Sequence, residues 1–204
     1  MAKARSAKRR RRSKTAQSRR RSRGAGNGSG RDDAVGLLKS DHREVERLFG
    51  AFESTRSHER KQEIATQICE ALKAHTTIEE EIFYPAFLEA TEDTEIHHEA
   101  EIEHEGAKHL IQEIESAGPD DDHFEARVTV LQEMIRHHVK EEEQRGGMFS
   151  KAQSSDMDLA ELGRQMRDRK LELMGDASDD LSTSGRRPPA QGRMRRSSRE
   201  VRER

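Results

Sequence analysis

Four stretches of this chain repeat apolar residues at steps of three or four, the spacing of one face of an α-helix, and each face is interrupted by a histidine. The first face reads Leu38, His42, Val45, Phe49, Phe52, and the second Ile64, Ile68, Leu72, His75, Glu79, Ile82. The third reads His97, Ala100, His104, Ala107, Ile111, Ile114, and the fourth Phe124, Val128, Leu131, Ile135, His138, Glu142. His42, His75, Glu79, His104, His138 and Glu142 therefore stand where apolar side chains would meet in a shared core. Burying a neutral polar group without a partner costs on the order of 2–7 kcal/mol. Something in the interior must satisfy all six.

Punctuation residues bound the four segments. Asp32 and Asp33 supply N-cap chemistry for a first helix that ends near Glu53, and Ser57 caps a second. Pro85 ends or kinks that second helix. A third runs from about Asp93 to Ala117, before the breaker Gly118-Pro119. Asp120-Asp121-Asp122 begins a fourth, which Gly146-Gly147 interrupts. A weaker fifth helix, over roughly 155–174, carries Leu159, Leu162, Met166 and Leu173. No strand pattern competes. These segments predict an all-α fold: an up-down-up-down four-helix bundle over residues 32–152, with a short accessory helix over 153–175.

Composition sets the rest apart. With 38% charged and 30% hydrophobic residues, the whole chain is too polar to be one packed globule. Residues 1–31 hold 13 Lys/Arg and no acid, and 185–204 hold eight with only Glu200 and Glu203 against them. The stretch between is acidic, so two basic tails, 1–31 and 176–204, are expected to be disordered around an acidic domain. The clusters Arg9, Arg10, Arg11, Arg12 and Arg19, Arg20, Arg21 suit release of counterions from nucleic-acid phosphates. No aromatic residue accompanies them, so such binding is expected to be non-specific and salt-sensitive. The equally weighted alternative is a tail that folds onto the acidic domain or stays solvated. The arginine-rich start has no apolar region after it, and no run approaches the roughly 18 apolar residues of a membrane span. A cytoplasmic protein without membrane contact is expected.

The six polar core positions point to metal. His75 and Glu79 lie one helical turn apart and project from one face; His138 and Glu142 repeat the arrangement. Four imidazoles and two carboxylates able to bridge fit a dinuclear site for borderline metals. Iron is favoured, since zinc prefers a single tetrahedral site and magnesium or calcium mostly oxygen. With a lone cysteine, Cys69, a thiolate cluster is excluded, and Cys69 reads as a small core thiol. Any one of these histidines alone would more often be a hydrogen-bonded core residue. Glu80 and Glu81 read as a solvated face, as do His58, His109 and His123.

Ser40-Asp41-His42, His75-Thr76-Thr77-Ile78-Glu79-Glu80-Glu81-Ile82-Phe83-Tyr84-Pro85, Glu103-His104 and His137-His138-Val139-Lys140-Glu141-Glu142-Glu143 together resemble the hemerythrin HHE cation-binding family over about residues 33–152. The resemblance implies a four-helix bundle around a non-haem di-iron centre that binds oxygen or related small molecules. By position, His42, His75, Glu79, His104, His138 and Glu142 would be the ligands, with Glu79 and Glu142 bridging. Three departures stand out. Ala100 occupies the place of a histidine that oxygen carriers have four residues before His104, which leaves His97 or its neighbour His98 to supply a further nitrogen, with a surface position the favoured reading for His98. His138-x-x-x-Glu142 replaces a spacing that ends in Asp five residues on, and Gly146-Gly147-Met148-Phe149-Ser150 replaces a Phe-Pro ending. The expected function is a di-iron protein that handles or senses oxygen, peroxide, nitric oxide or iron. Two alternatives stand beside it: a bundle recruited to nucleic acid by its tails with a structural metal, and a di-iron redox enzyme. No separate nucleophile or acid–base dyad is visible, so any catalysis would be the metal's own.

Overall fold

The structure is a computed structural model that describes residues 33–118 and 121–184, with side chains through Gly175. The arginine clusters at 9–12 and 19–21 lie outside the described residues, as does the end of the chain from 185. Among the described residues all regular structure is helical: α1 (Ala34–Ser54), α2 (His58–Ile78), a π-helical turn (Glu79–Phe83), α3 (Tyr84–Thr91), α4 (Thr94–Ser116), α5 (Phe124–Glu143), α6 (Met148–Ser154) and α7 (Leu159–Ser184).

The caps follow local chemistry. Asp33 accepts a hydrogen bond from the Gly36 N–H at 2.8 Å and so starts α1, and Ser57 does the same for Arg60 at the head of α2. Asp93 caps α4 through the Ile96 N–H. The fourth segment starts later than its aspartates suggested, at Phe124, because Asp121 accepts from the His123 N–H in a preceding turn.

Pro85 does not end the second helix. It sits in the first turn of α3, where its missing N–H costs nothing. The π-helical turn just before it joins α2 to α3, and the Tyr84 N–H reaches back five residues to the Glu79 carbonyl. That extra residue rotates the following face. Phe83, Tyr84 and Phe87 become fully buried, while Ile82, expected inward, is only half-buried.

α1 packs on α2 and α5, and α4 on α2 and α5. The buried apolar residues form two clusters. One holds Val45, Phe49, Phe52, Ile68, Ile111 and Phe124 with their neighbours; the other holds Leu38, Ile78, Phe83, Tyr84, Phe87, Met148 and Phe149. Cys69 lies in the first cluster, and burial pushes its thiol up to about 12, so it is an inert core residue.

The C-terminal part is larger than the expected short helix over 153–175. α6 begins at Met148, and α7 continues past Gly175 to Ser184. α7 packs on α1, α2 and the π-helical turn, with Met166 fully buried. Between α5 and α6, Gly146 adopts a left-handed φ of 84° and Gly147 an extended conformation. A Cβ on Gly147 would meet the backbone carbonyls of Glu141 and Glu142, which have nowhere to go. Gly147→Ala is therefore expected to destabilise by about 1–3 kcal/mol. A thermal melt should show a midpoint about 2–12 °C below that of the parent, at roughly 2–4 °C per kcal/mol.

Candidate metal centre

Six side chains meet between the two apolar clusters. α1 contributes His42 and α2 His75, while Glu79 opens the π-helical turn, a local irregularity common at functional sites. α4 contributes His104, and α5 contributes His138 and Glu142 one turn apart. None is more than 6% exposed. All four imidazoles turn Nε2 inward. His42 and His75 place these nitrogens 3.2 Å apart, and His104 and His138 place theirs 3.3 Å apart.

The two carboxylates lie between the pairs. Glu79 Oε2 is 3.2 Å from His75 Nε2 and 3.4 Å from His104 Nε2. Glu142 Oε2 is 3.3 Å from His42 Nε2 and 3.5 Å from His138 Nε2. Two donor groups result, His42–His75–Glu79–Glu142 and Glu79–His104–His138, sharing Glu79. Positions read as core substitutions in the sequence thus converge on one point.

Three of the four imidazoles are held from behind by a hydrogen bond to a carboxylate, and the fourth, His75, only faces one. Nδ1–H of His42 donates to Glu143 at 2.9 Å, that of His104 to Glu80 at 2.9 Å, and that of His138 to Glu103 at 2.8 Å. Asp41 faces His75 Nδ1 at 3.7 Å and takes a 2.7 Å hydrogen bond from Lys170 of α7. An ionised carboxylate only accepts, so Nδ1 of His42, His104 and His138 carries a proton, and Nε2 is the nitrogen that faces the interior. Such outer partners orient metal-ligating histidines and raise their basicity.

This outer ring corrects the expectation of a solvated face for Glu80, while Glu81 is exposed as expected. Glu80 is bonded to both His104 and Lys108, and Glu81 is paired with Arg169 of α7. Asp41, Glu103 and Glu143 received no role from periodicity, because an outer partner stands beside the core face and not on it. Their only signal was adjacency in sequence to a core His or Glu.

The charges reinforce one another. Burial opposes protonation of His42, but Glu142 and Glu143 outweigh it and carry its pKa up to about 9. Burial likewise opposes His104, yet Glu79 and Glu80 raise it to about 9. Burial acts to raise Glu79, but His75 and His104 outweigh that and hold it down to about 2. Even so, both oxygens of Glu79 and both of Glu142 are buried with no hydrogen-bond donor in proper geometry. Without a cation these four oxygens have no well-formed hydrogen bond, only contacts of 3.2–3.5 Å from Oε2 to the imidazole nitrogens, and a poorly satisfied buried acceptor costs about 1–3 kcal/mol. A cation between the imidazole pairs satisfies them, so the residues present fit one.

His97 is not in this cluster. It packs edge-on against Tyr84, with ring centroids 5.5 Å apart, and groups instead with His98 and Glu101. Tyr84, unassigned from sequence, is fully buried and places its hydroxyl 3.1 Å from His104 Nε2. His58, His109 and His123 are exposed, as expected.

The profile of the hemerythrin HHE cation binding domain matches residues 33–146, more than half of the chain. The chain belongs to the hemerythrin HHE cation-binding family. A solved hemerythrin HHE cation binding domain-containing protein from Mycobacterium kansasii superposes with a TM-score of 0.62 at 23% identity, over 76% of this chain and 94% of that one. At that identity the likeness speaks for the fold. The chain is also 29% identical over 110 residues to a DNA nickase of Nostoc sp. strain PCC 7120, a match over 52% of this chain and 30% of that protein. It thus spans less than a third of that relative's length. Together, hemerythrin-family membership and the two His/Glu groups point to metal binding in the belt between the clusters. Among the described residues no helix is long and apolar enough to cross a membrane.

Proposed function

We propose that this hemerythrin-family protein binds a pair of iron ions within an up-down-up-down bundle. His42 and His75 would hold one ion, His104 and His138 the other, and Glu79 and Glu142 would lie between them. The observation that carries the reading is a pair of buried carboxylates, none of whose four oxygens has a well-formed hydrogen bond, between two pairs of inward imidazole nitrogens. Nitrogen and oxygen donors in this mixture suit iron better than magnesium, calcium or a single zinc. We propose that the site handles or senses oxygen, peroxide, nitric oxide or iron itself, in the cytoplasm. Bound iron would supply reversible one-electron chemistry and open coordination positions.

The chain's own residues do the positioning. The outer carboxylates fix the rings of His42, His104 and His138, so little reorganisation of these three accompanies loading. Protons held at Nε2 of His42 and His104 leave as a cation arrives. Burial first, and then the charges of Glu79 and Glu142, raise the Tyr84 hydroxyl well above its ordinary range. Tyr84 therefore keeps its proton and stands ready to donate it beside His104. The interior on either side is apolar, which excludes water.

Full-length protein from iron-fed cells should contain about two irons per chain. Elemental analysis, with optical spectra of the anaerobic reduced protein before and after oxygen, tests this. Iron-free protein, with a His75→Ala variant unchanged in metal content and stability, would remove the proposal.

A second reading draws on the DNA nickase match and the arginine clusters: recruitment to nucleic acid by the N-terminal segment. Replacing Arg9 to Arg12 and Arg19 to Arg21 by serine in the full-length chain should then abolish most retardation of duplex DNA at low salt. Equal retardation by both proteins would discard it.

A further inference from the structure

The belt of six residues lies below the surface, and two openings reach it. One, of about 290 Å³, lies between α1 and α5 and reaches His42 and Glu143. Its charged lining is Arg43, Arg136 and Lys140 against Glu46 and Glu143. The other, of about 100 Å³, lies between α4, α5 and the turn leading to α6, and reaches His138 and Glu142. Its charged lining is Glu99, Glu103, Glu141 and Glu142, with no Lys or Arg. Opposite charge focuses in a low-dielectric cleft and raises local ion concentration. A cation is therefore favoured at the second opening over the first, where three basic side chains nearly balance two carboxylates.

A donor set stands at that acidic mouth. His137 Nε2 lies 3.2 Å from Glu141 Oε1 and 3.6 Å from Glu103 Oε1. These three residues bring one ligand atom each within 4.8 Å of one another. The other oxygen of Glu103 bonds the buried His138, and the far wall holds Glu142, 3% exposed, with both oxygens unpartnered. The mouth is thus linked to the interior site through the Glu103–His138 hydrogen bond, and buried Glu142 belongs to both its lining and the interior donor group.

We propose that Glu103, His137 and Glu141 form an outer, transient divalent-cation site, and that the Glu99–Glu141 mouth is the route by which metal reaches the buried pair. The outer site takes a cation with exchangeable water in its remaining positions. The cation then passes along the carboxylates of Glu103 and Glu142 to the imidazoles. This rests on the metal-pair reading above and adds the path that serves it.

The test follows Co²⁺ uptake by chelator-stripped full-length protein, using stopped-flow visible absorption for rate and elemental analysis for the endpoint. In the Glu99→Gln/Glu141→Gln double variant, loading should slow about tenfold at low ionic strength, with the same final content. The deficit should shrink in about 0.5 M salt. His137→Ala should slow loading too, while Glu46→Gln at the other opening should leave the rate unchanged. An unaltered rate in the double variant, or slowing in Glu46→Gln instead, would overturn the route while leaving the buried pair intact. Wild-type protein that takes up no Co²⁺ would remove both proposals together.

Discussion

Glu79→Gln is expected to reduce bound metal from about two ions per chain to well under one, while His104→Ala should remove about one. Glu79 belongs to both donor groups, and its carboxylate approaches His75 on one side and His104 on the other. Glutamine keeps the shape but removes the negative charge that two adjacent cations require between them. His104 belongs to one group only. The same change acts on the metal-free fold, because the neighbouring imidazoles lose a buried counter-charge. Removing one partner of a buried ion pair costs roughly 3–5 kcal/mol, and glutamine's remaining carbonyl oxygen should keep the loss toward the lower end. Elemental analysis and thermal melts of both variants provide the readout. Metal content equal to wild type in Glu79→Gln would refute the bridging role.

The second large effect is expected at Phe149→Ala. Phe149 is 1% exposed, stacks on His42 at 5.7 Å with rings nearly parallel, and meets Phe83 edge-on at 5.9 Å. Truncation leaves a cavity beside a metal-facing imidazole and should cost about 3–5 kcal/mol. Phe149→Leu, which retains most of the volume, should cost less than about half of that. Urea unfolding measures the first effect. Loss of Co²⁺ to a competing chelator measures a second, because His42 loses the ring that fixes its plane. A Phe149→Ala protein within about 1 kcal/mol of wild type, and no faster to release metal, would show that α6 merely covers the bundle.

The six central residues were legible because a polar side chain on an apolar helical face violates periodicity wherever it occurs, and here it occurs on all four faces. The helix starts at Asp33 and Ser57 were legible for an equally local reason, since a side-chain oxygen three residues before an orphan N–H has one obvious use. Pro85 misled because a proline usually marks a boundary. The π-helical turn absorbs it by shifting the hydrogen-bond register upstream, a change that leaves no periodic trace in so few residues. Glu80 looked solvated because a run of glutamates usually is, and Glu81 beside it is indeed exposed, though paired. Their partners, His104, Lys108 and Arg169, come from α4 and α7, and only tertiary packing brings them near. α7 was under-read for a similar reason. Its polar composition suggested an appendage, but its cations are matched to acids on α1 and on the π-helical turn.

The belt of charge also divides the apolar interior into two separate cores, one around Phe52 and Phe124, the other around Phe83 and Phe149. Apolar contacts that would otherwise run the length of the bundle stop at the histidines. Each end can therefore exchange its amide hydrogens as its own cooperative unit, the α6 end opening while the Phe52–Phe124 end stays closed. An ion held from α1, α2, α4 and α5 at once would act as a rivet between the two units, and the loaded protein would unfold as one.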